Sequence, residues 1–308
     1  MSDGADAGQT AATAGTAAYP EDLRALAERY LESLRFSSEP ATVRLDEAMR
    51  YSLLAGGKRI RPVLALASAR ALGSETRDVL PTAAAIELVH TYSLIHDDLP
   101  AMDDDELRRG RPTCHIAYGE NVAILAGDGL FAEAYRLVLE HQQGAPERVL
   151  SALRELSRAI SVAGMVGGQY IDIAGDELDA HGLLHMHELK TGRLISASVT
   201  VAPLLLGSPA PVVAGLRRFS EELGVLFQIV DDILDVTGTE KDTGKSHGSD
   251  ERLGKRTYVS VHGLERAREL ARDSHVRTRD ALAAASETLS GDASALEQLA
   301  DFVYTRES

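Results

Sequence analysis

The chain has 308 residues and a formal net charge of −15, because 47 Asp and Glu residues outnumber 32 Lys and Arg residues. This balance disfavours nucleic acid as a partner, since binding to nucleic acid depends on Lys and Arg neutralising phosphates. A hydrophobic fraction of 44% is typical of a folded globular protein and excludes a largely disordered chain.

Cysteine usage and the N-terminal residues indicate a cytoplasmic protein. Cys114 is the only cysteine, so no intrachain disulfide can form. Residues 1–18 lack the basic start and apolar run of a signal peptide, and we expect them to form a disordered tail. The most apolar stretch, 199–213, is interrupted by three prolines and a glycine, so no integral membrane segment is expected.

Helix-forming residues dominate the rest of the chain, and no run of alternating β-branched residues predicts a strand. Apolar spacing predicts helices over 21–35, 46–54, 63–72, 81–98, 121–142, 147–166, 183–191, 192–206, 212–236, 264–285 and 293–304. No Gly/Pro/Ser-rich linker divides them. We therefore expect one all-α domain over 19–308, a bundle of more than four helices with any site between facing helices.

Two clusters of carboxylates are candidate metal sites. In the downstream cluster, Asp231 and Asp235 are four residues apart and share one helix face beside Asp232. Mg²⁺ prefers such oxygen ligands and usually combines one or two carboxylates with substrate phosphates. A single cluster of this kind is also explained by a solvated helix end.

The upstream cluster has six carboxylates within ten residues, at Asp97, Asp98, Asp103, Asp104, Asp105 and Glu106. On a regular helix Asp97 and Asp103 would point to different faces, whereas Asp104 would align with Asp97. Pro100 lacks a backbone N–H and interrupts the helix, so periodicity leaves open which of Asp103 and Asp104 faces a metal.

Basic residues are scarce in this acidic chain but clustered. They lie in a glycine-flanked turn before a helix, directly after each acidic cluster and at a helix break: Lys58, Arg59, Arg61, Arg108, Arg109, Arg111, Lys190, Arg193, Lys245, Lys255 and Arg256. Each alone is explained as a solvated charge. Together with the carboxylates they indicate a metal–diphosphate site.

Other site chemistries fit the spacing poorly. His181, His185 and His187 are two and four residues apart with no cysteine nearby, which disfavours a zinc site. Cys114 and His115 are adjacent, so their side chains would point apart on a helix and do not form a nucleophile pair.

Five sequence blocks in order resemble the trans-isoprenyl diphosphate synthases, also called the polyprenyl synthetase family. The blocks are GGKRIRP at 56–62, DDLPAMD at 97–103, GGQ at 167–169, KTG at 190–192 and FQIVDDILD at 227–235. The resemblance runs from about 21 to 304 and is closest in pattern to bacterial farnesyl and geranylgeranyl diphosphate synthases. One departure is Val259, where the family commonly has proline.

The resemblance implies long antiparallel helices around a central cavity, assembled as a homodimer. It implies Mg²⁺-dependent, head-to-tail condensation of isopentenyl diphosphate with an allylic diphosphate, with about three Mg²⁺ ions per active site. The segment 236–254 is expected to close over the site and exclude water from a carbocation.

By the same resemblance, functional roles fall on matching positions. The metal ligands would be Asp97, Asp98, Asp103, Asp231 and Asp235, which favours Asp103 over Asp104. Isopentenyl diphosphate would bind Lys58, Arg61, His90 and Arg109, and the allylic diphosphate would bind Arg108, Lys190, Thr191, Gln228, Lys245 and Lys255. The catalytic group would comprise Asp97, Asp103, Arg108, Lys190 and Asp231.

Product length is expected to depend on the residues just before Asp97. Ser93 and Tyr92 lie about 6 and 7.5 Å along the helix from Asp97. A bulky Tyr92 at the cavity floor resembles farnesyl diphosphate synthases and predicts a C15 product, with C20 geranylgeranyl diphosphate as the alternative. Tyr92 packing sideways, with another residue as the floor, is the competing interpretation.

Two other functions are weighed against this one. A terpene cyclase shares the helical fold, but Asp231-Asp232-Ile233-Leu234-Asp235 stands where its second metal motif, NDxxSxxxE, would be. A silent subunit that only binds a partner is expected to lose carboxylates from one cluster, and both clusters are intact.

Overall fold

The computed structural model describes residues 18–174, 180–238 and 256–306, which form fourteen α-helices. The first seven are α1 (Glu21–Ser33), α2 (Val43–Leu53), α3 (Ile60–Ala71), α4 (Leu80–Asp97), α5 (Cys114–Tyr118), α6 (Glu120–His141) and α7 (Pro146–Ile160). The others are α8 (Met165–Ala174), α9 (Ala180–His187), α10 (Arg193–Leu206), α11 (Ala210–Thr237), α12 (Tyr258–His262), α13 (Leu264–Ser286) and α14 (Ser294–Thr305).

Three smaller elements complete the described chain. A 3₁₀ turn (Thr76–Val79) leads into α4, and a π-helical segment (Glu188–Gly192) joins α9 to α10 without a break. Strands β1 (Leu107–Arg108) and β2 (Arg111–Pro112) form a two-residue antiparallel hairpin. Its turn residues Arg109 and Gly110 have φ values of 53° and 70°, the left-handed conformation that such tight hairpins require.

The predicted all-α class is confirmed, and most predicted helices agree with the structure within a few residues. The predicted helix 147–166 is wrong, because α7 ends at Ile160 and α8 begins at Met165. Ser161 makes the break: its hydroxyl accepts a hydrogen bond from the Ala163 N–H, and its carbonyl accepts one from Gly164. Such local serine bonds compete with helical ones. The predicted tail lies, except for residue 18, outside the described residues.

Helices α3, α4 and α10 form the buried centre of the bundle. Helix α4 buries 13 of its 18 residues and α3 buries 10 of its 12, so both are covered on nearly every side. The stretch His181–Leu206 is long and apolar enough by composition to cross a membrane, but 67% of its most apolar window is buried inside the protein. That burial is typical of a core helix.

Candidate active site

The helical bundle contains a cavity of about 830 Å³. Its walls come from α4 and the loop after it, the turn before α3, α8, α9, the π-helical segment, α11 and α14. Asp97, at the end of α4, and Asp103, in the loop after it, line the cavity. Asp231 and Asp235 line the same cavity from α11. The fold therefore brings two clusters together that are more than a hundred residues apart in the chain.

The loop after α4 places Asp103 and Asp104 in different surroundings. Helix α4 ends at Asp97, and the Asp103 N–H donates to the Asp97 carbonyl at 2.9 Å. Asp103 lines the cavity, whereas Asp104 is exposed and has a left-handed backbone with φ of 53°. The turn around Pro100 removes the regular helix in which Asp104 would have aligned with Asp97.

Asp98, which the resemblance assigns to the metal, is 3% exposed and is not among the described residues that line the cavity. Both of its oxygens accept hydrogen bonds from Arg108 Nε, at 2.8 and 3.0 Å, and Oδ1 lies 2.6 Å from Arg108 Nη2. A bidentate carboxylate of this kind fixes the guanidinium plane. Asp98 therefore holds Arg108 at the cavity wall.

Four of the predicted cationic or imidazole side chains meet at one end of the cavity: Lys58, Arg61, His90 and Arg109. Arg61 Nη1 lies 3.3 Å from His90 Nε2. Burial lowers the pKa of Arg61 to about 10, so it stays a cation at neutral pH. Burial, reinforced by Arg61, holds the pKa of His90 well below its ordinary value, so His90 is neutral.

Arg109 packs against the glycine turn. Its Nη1 donates to the Gly56 carbonyl, and a Cβ at Gly57 would lie 2.7 Å from Arg109 Cζ. Gly57 also has φ of 117°, which L side chains rarely adopt. The backbone conformation of Gly57 and its close approach to Arg109 both explain why this position is a glycine.

Arg59, grouped by sequence with the basic turn, is instead a buried clamp. Its side chain is 1% exposed and makes three charge-assisted bonds, to Glu28 Oε1 at 2.8 Å, Glu87 Oε1 at 2.7 Å and the Leu53 carbonyl at 2.7 Å. These acceptors belong to α1, α4 and α2. Arg59 therefore ties the turn that carries Lys58 and Arg61 to three helices.

Arg108, Lys190, Thr191 and Gln228, which were predicted for the allylic diphosphate, also line the cavity. Lys190 Nζ pairs with Asp172 at 2.6 Å. The Thr191 hydroxyl donates to Gln228 Oε1 at 3.0 Å, and Gln228 Nε2 donates to Asp232 at 2.7 Å. The π-helical segment presents Lys190 and Thr191 to the cavity, and π-helical turns occur often at functional sites. Lys245 and Lys255, together with most of segment 236–254, lie outside the described residues.

The cavity is also lined by Asp105, Asp172, His187 and Arg306, to which the sequence assigned no role. Asp172 follows Gln169 by three residues, so helical spacing from the GGQ block was an available signal. Burial lowers the pKa of His187 to about 4 and leaves it neutral. Arg306 Nη2 lies 3.0 Å from Asp231 and follows the last helix, where no motif marks it.

Tyr92, the residue predicted to limit product length, is one of the residues that line the cavity. Its side chain lines the cavity and is 8% exposed, with Ser93 beside it. The ring packs edge-on against Phe131 of α6 at 5.2 Å and against His96 at 5.8 Å. Tyr92 is thus wedged between α4 and α6 at the cavity wall.

Gly168 lets α8 approach the π-helical segment. An added Cβ there would lie 2.2 Å from the Lys190 nitrogen and 2.6 Å from its Cα, both backbone atoms that cannot rotate away. We expect Gly168→Ala to lower kcat/KM about 10²-fold, because a shift of about 1 Å in a substrate-positioning group has that effect. Steady-state kinetics with both substrates measures it.

The matched control for Gly168→Ala is Gly129→Ala in α6, where the added Cβ would meet only the flexible side chain of Met49 at 3.0 Å. Alanine is the better helix former in both places. An equal loss in the two variants would contradict the packing argument, since only Gly168 contacts the backbone of Lys190.

Comparison with known proteins decides the family. The Polyprenyl synthetase family model matches residues 42–290, which includes every block described above. The chain belongs to the polyprenyl synthetase family. Among its relatives, a farnesyl diphosphate synthase of Escherichia coli is 41% identical over 303 residues, covering 94% of this chain and 99% of that protein.

Polyprenyl synthetases with other products are equally similar. The heterodimeric geranylgeranyl pyrophosphate synthase large subunit 1 of Arabidopsis thaliana is 45% identical over 269 residues, covering 83% of this chain and 71% of that protein. A Helicobacter pylori geranyltransferase, solved with magnesium and isoprenyl diphosphate, superposes with a TM-score of 0.83 at 32% identity and covers 91% of this chain and 94% of that one. The protein is a trans-prenyltransferase, and similarity alone does not decide its product length.

Proposed function

We propose that this trans-prenyltransferase condenses isopentenyl diphosphate with dimethylallyl and geranyl diphosphates in the presence of Mg²⁺, and releases farnesyl diphosphate as its main product. The observation that carries the proposal is one cavity lined by carboxylates from two distant clusters and by two groups of cations. The geranylgeranyl product is the second candidate, because a geranylgeranyl pyrophosphate synthase subunit is 45% identical.

The donor set suits Mg²⁺. Asp97, Asp103, Asp231 and Asp235 offer carboxylate oxygens to the cavity, and Mg²⁺ takes few protein carboxylates together with substrate phosphates. Among the described residues no group of three His, Cys, Asp or Glu side chains is arranged to hold a metal ion alone. When bound, Mg²⁺ supplies positive charge that stabilises the leaving diphosphate.

The chain's own cations divide into two binding groups. Arg108, fixed by Asp98, and Lys190, paired with Asp172, hold the allylic diphosphate and meet the negative charge that develops as it leaves. Lys58, Arg61 and Arg109 hold isopentenyl diphosphate at the other end of the cavity, with neutral His90 as a hydrogen-bonding neighbour. Two diphosphate sites in one cavity favour a synthase over a terpene cyclase, which needs one.

The chemical step needs no protein nucleophile. The allylic C1–O bond breaks and its electron pair leaves with the diphosphate. The double bond of isopentenyl diphosphate attacks C1 to form the new C–C bond, and the proton lost from the adjacent carbon goes to the released diphosphate. Apolar side chains such as Met165, Phe227 and Met186 line the same cavity and keep water from the cation.

The decisive experiment supplies isopentenyl diphosphate with a C5, C10 or C15 allylic diphosphate and Mg²⁺, and identifies products by mass spectrometry. We expect C15 as the main product from the C5 and C10 substrates. Predominant C20 from all three would establish the geranylgeranyl candidate. A cyclic hydrocarbon, or no elongated product, would refute the proposed function.

Tyr92 is proposed to set the product length. We expect Tyr92→Ala to shift the main product from C15 to C20 or longer, because a buried ring that lines the cavity is removed and the apolar tail gains its space. Product chain length, measured at equal conversion, tests this. Tyr118→Ala, a half-buried tyrosine on α5 outside the cavity lining, is the control. An unchanged profile for Tyr92→Ala would assign the floor to another residue.

A homodimer in the cytoplasm is the proposed working form. Helix α6 carries the exposed apolar side chains Ile124, Leu125 and Leu139, at 44, 55 and 64% exposure, which a second copy would cover. The single cysteine, Cys114, is buried and free, as suits a reducing compartment. Light scattering coupled to gel filtration measures the assembly, and a monomer at micromolar concentration would contradict the dimer.

A further inference from the structure

Lys58 lies on an exposed turn, yet two contacts restrict it, and a third joins the two residues that make them. Its ammonium lies over the Phe302 ring, 5.3 Å from the centroid. Its carbonyl accepts a 2.6 Å hydrogen bond from the Tyr19 hydroxyl. Tyr19 in turn packs edge-on against Phe302, with the ring centroids 4.8 Å apart. Tyr19, Phe302 and Lys58 thus form a closed triangle, which we call the Lys58 latch.

The latch joins segments that no sequence block connects. Tyr19 lies just before α1, Phe302 belongs to α14 and Lys58 belongs to the glycine turn. Phe302 is 3% exposed and anchored in the hydrophobic core. The ring under Lys58 is therefore a fixed surface, and an ammonium over an aromatic face is attracted by the ring quadrupole.

The turn needs such an anchor because of its composition. Gly56 and Gly57 precede Lys58, with φ values of 86° and 117°, and glycines give a turn many accessible conformations. On the other side of Lys58, Arg59 is fixed by its buried ion pair with Glu87. Lys58 is exposed and lies between the two glycines and the fixed Arg59, so the bond from Tyr19 to its carbonyl restrains its direction.

We propose that Tyr19 and Phe302 are positioning residues that hold Lys58 towards the diphosphate of isopentenyl diphosphate. This rests on the proposed function, which places Lys58 in that subsite. Tyr19 acts through Lys58 and reaches neither substrate itself. Burial, with Glu87 nearby, raises the pKa of the Tyr19 hydroxyl, so it remains a proton donor at every working pH.

Tyr19→Phe removes only the hydroxyl and keeps the ring contact with Phe302. We expect the KM for isopentenyl diphosphate to rise about five-fold, as for the loss of one neutral hydrogen bond. The KM for geranyl diphosphate and kcat are expected to stay within about two-fold. Tyr30→Phe, a half-buried tyrosine of α1, is the matched control and should change none of these constants.

A double-mutant cycle separates positioning from general packing. In a Lys58→Ala background, Tyr19→Phe should leave the KM for isopentenyl diphosphate unchanged, because the group that it positions is gone. Additive effects of the two substitutions would overturn the proposal. An equal rise of both KM values in Tyr19→Phe alone would also overturn it, since that pattern belongs to a packing defect.

Binding of inorganic diphosphate, measured by calorimetry, keeps the test independent of catalysis. About five-fold weaker binding by Tyr19→Phe than by the wild type and Tyr30→Phe supports the latch, and equal binding overturns it. If the wild type binds diphosphate but condenses no isopentenyl diphosphate, the proposed function fails while the latch is still judged by this comparison. Circular dichroism melts of all variants confirm that they are folded.

Discussion

Asp97→Asn is expected to lower kcat/KM for condensation by about 10³-fold, since removing a metal-binding carboxylate forfeits several kcal/mol of transition-state charge stabilisation. Asparagine keeps the shape of the side chain at the end of α4, so the loss comes from the missing charge. The Mg²⁺ concentration needed for half-maximal rate is expected to rise as well. Steady-state kinetics across a Mg²⁺ titration measures both effects.

Asp104→Asn is the control for Asp97→Asn, because it removes the same charge from the loop that directly follows α4. Asp104 is exposed and turned away by its left-handed backbone. We expect its kcat/KM to stay within about two-fold of the wild type. If both substitutions lower kcat/KM equally, the loss would come from the reduced negative charge of this region. The assignment of Asp97 as a metal ligand would then be wrong.

The contrast between Asp103 and Asp104 shows what the sequence determined here. On a regular helix Asp104 would align with Asp97, but spacing left the choice open, and the family pattern favoured Asp103. Pro100 follows the end of α4 at Asp97, and bonds such as that from the Asp103 N–H to the Asp97 carbonyl set the backbone there. In α11 the chain stays helical through Asp231 and Asp235, and both residues line the cavity.

Side-chain partners were the least predictable feature. Asp98 was predicted as a metal ligand, Arg59 was grouped with the basic turn and Asp172 belonged to no motif, but each has a partner that lies elsewhere in the chain. Asp98 and Asp172 fix cations that line the cavity, and Arg59 fixes a turn. Motifs identify which residue types assemble, whereas the division between groups that face substrate and groups that orient them depends on tertiary contacts.

Glu87→Ala is expected to lower the free energy of unfolding by about 3–5 kcal/mol, the typical result of removing one partner of a buried ion pair. The side chains of Glu87 and Arg59 are 2% and 1% exposed and joined at 2.7 Å. The variant leaves the Arg59 charge buried near Arg61 and Arg109. It also removes the Coulombic attraction between Glu87 and both of these arginines. Urea unfolding followed by circular dichroism, at fixed protein concentration, measures the change.

Glu28→Ala is the matched control, since Glu28 binds the same guanidinium at 2.8 Å but is 22% exposed. Water replaces its carboxylate, so a loss of about 1 kcal/mol is expected. The double variant Arg59→Met/Glu87→Leu removes both buried charges and should be more stable than Glu87→Ala alone. If it is not, the loss in Glu87→Ala comes from the cavity left by the side chain, and the buried charge of Arg59 is not its cause.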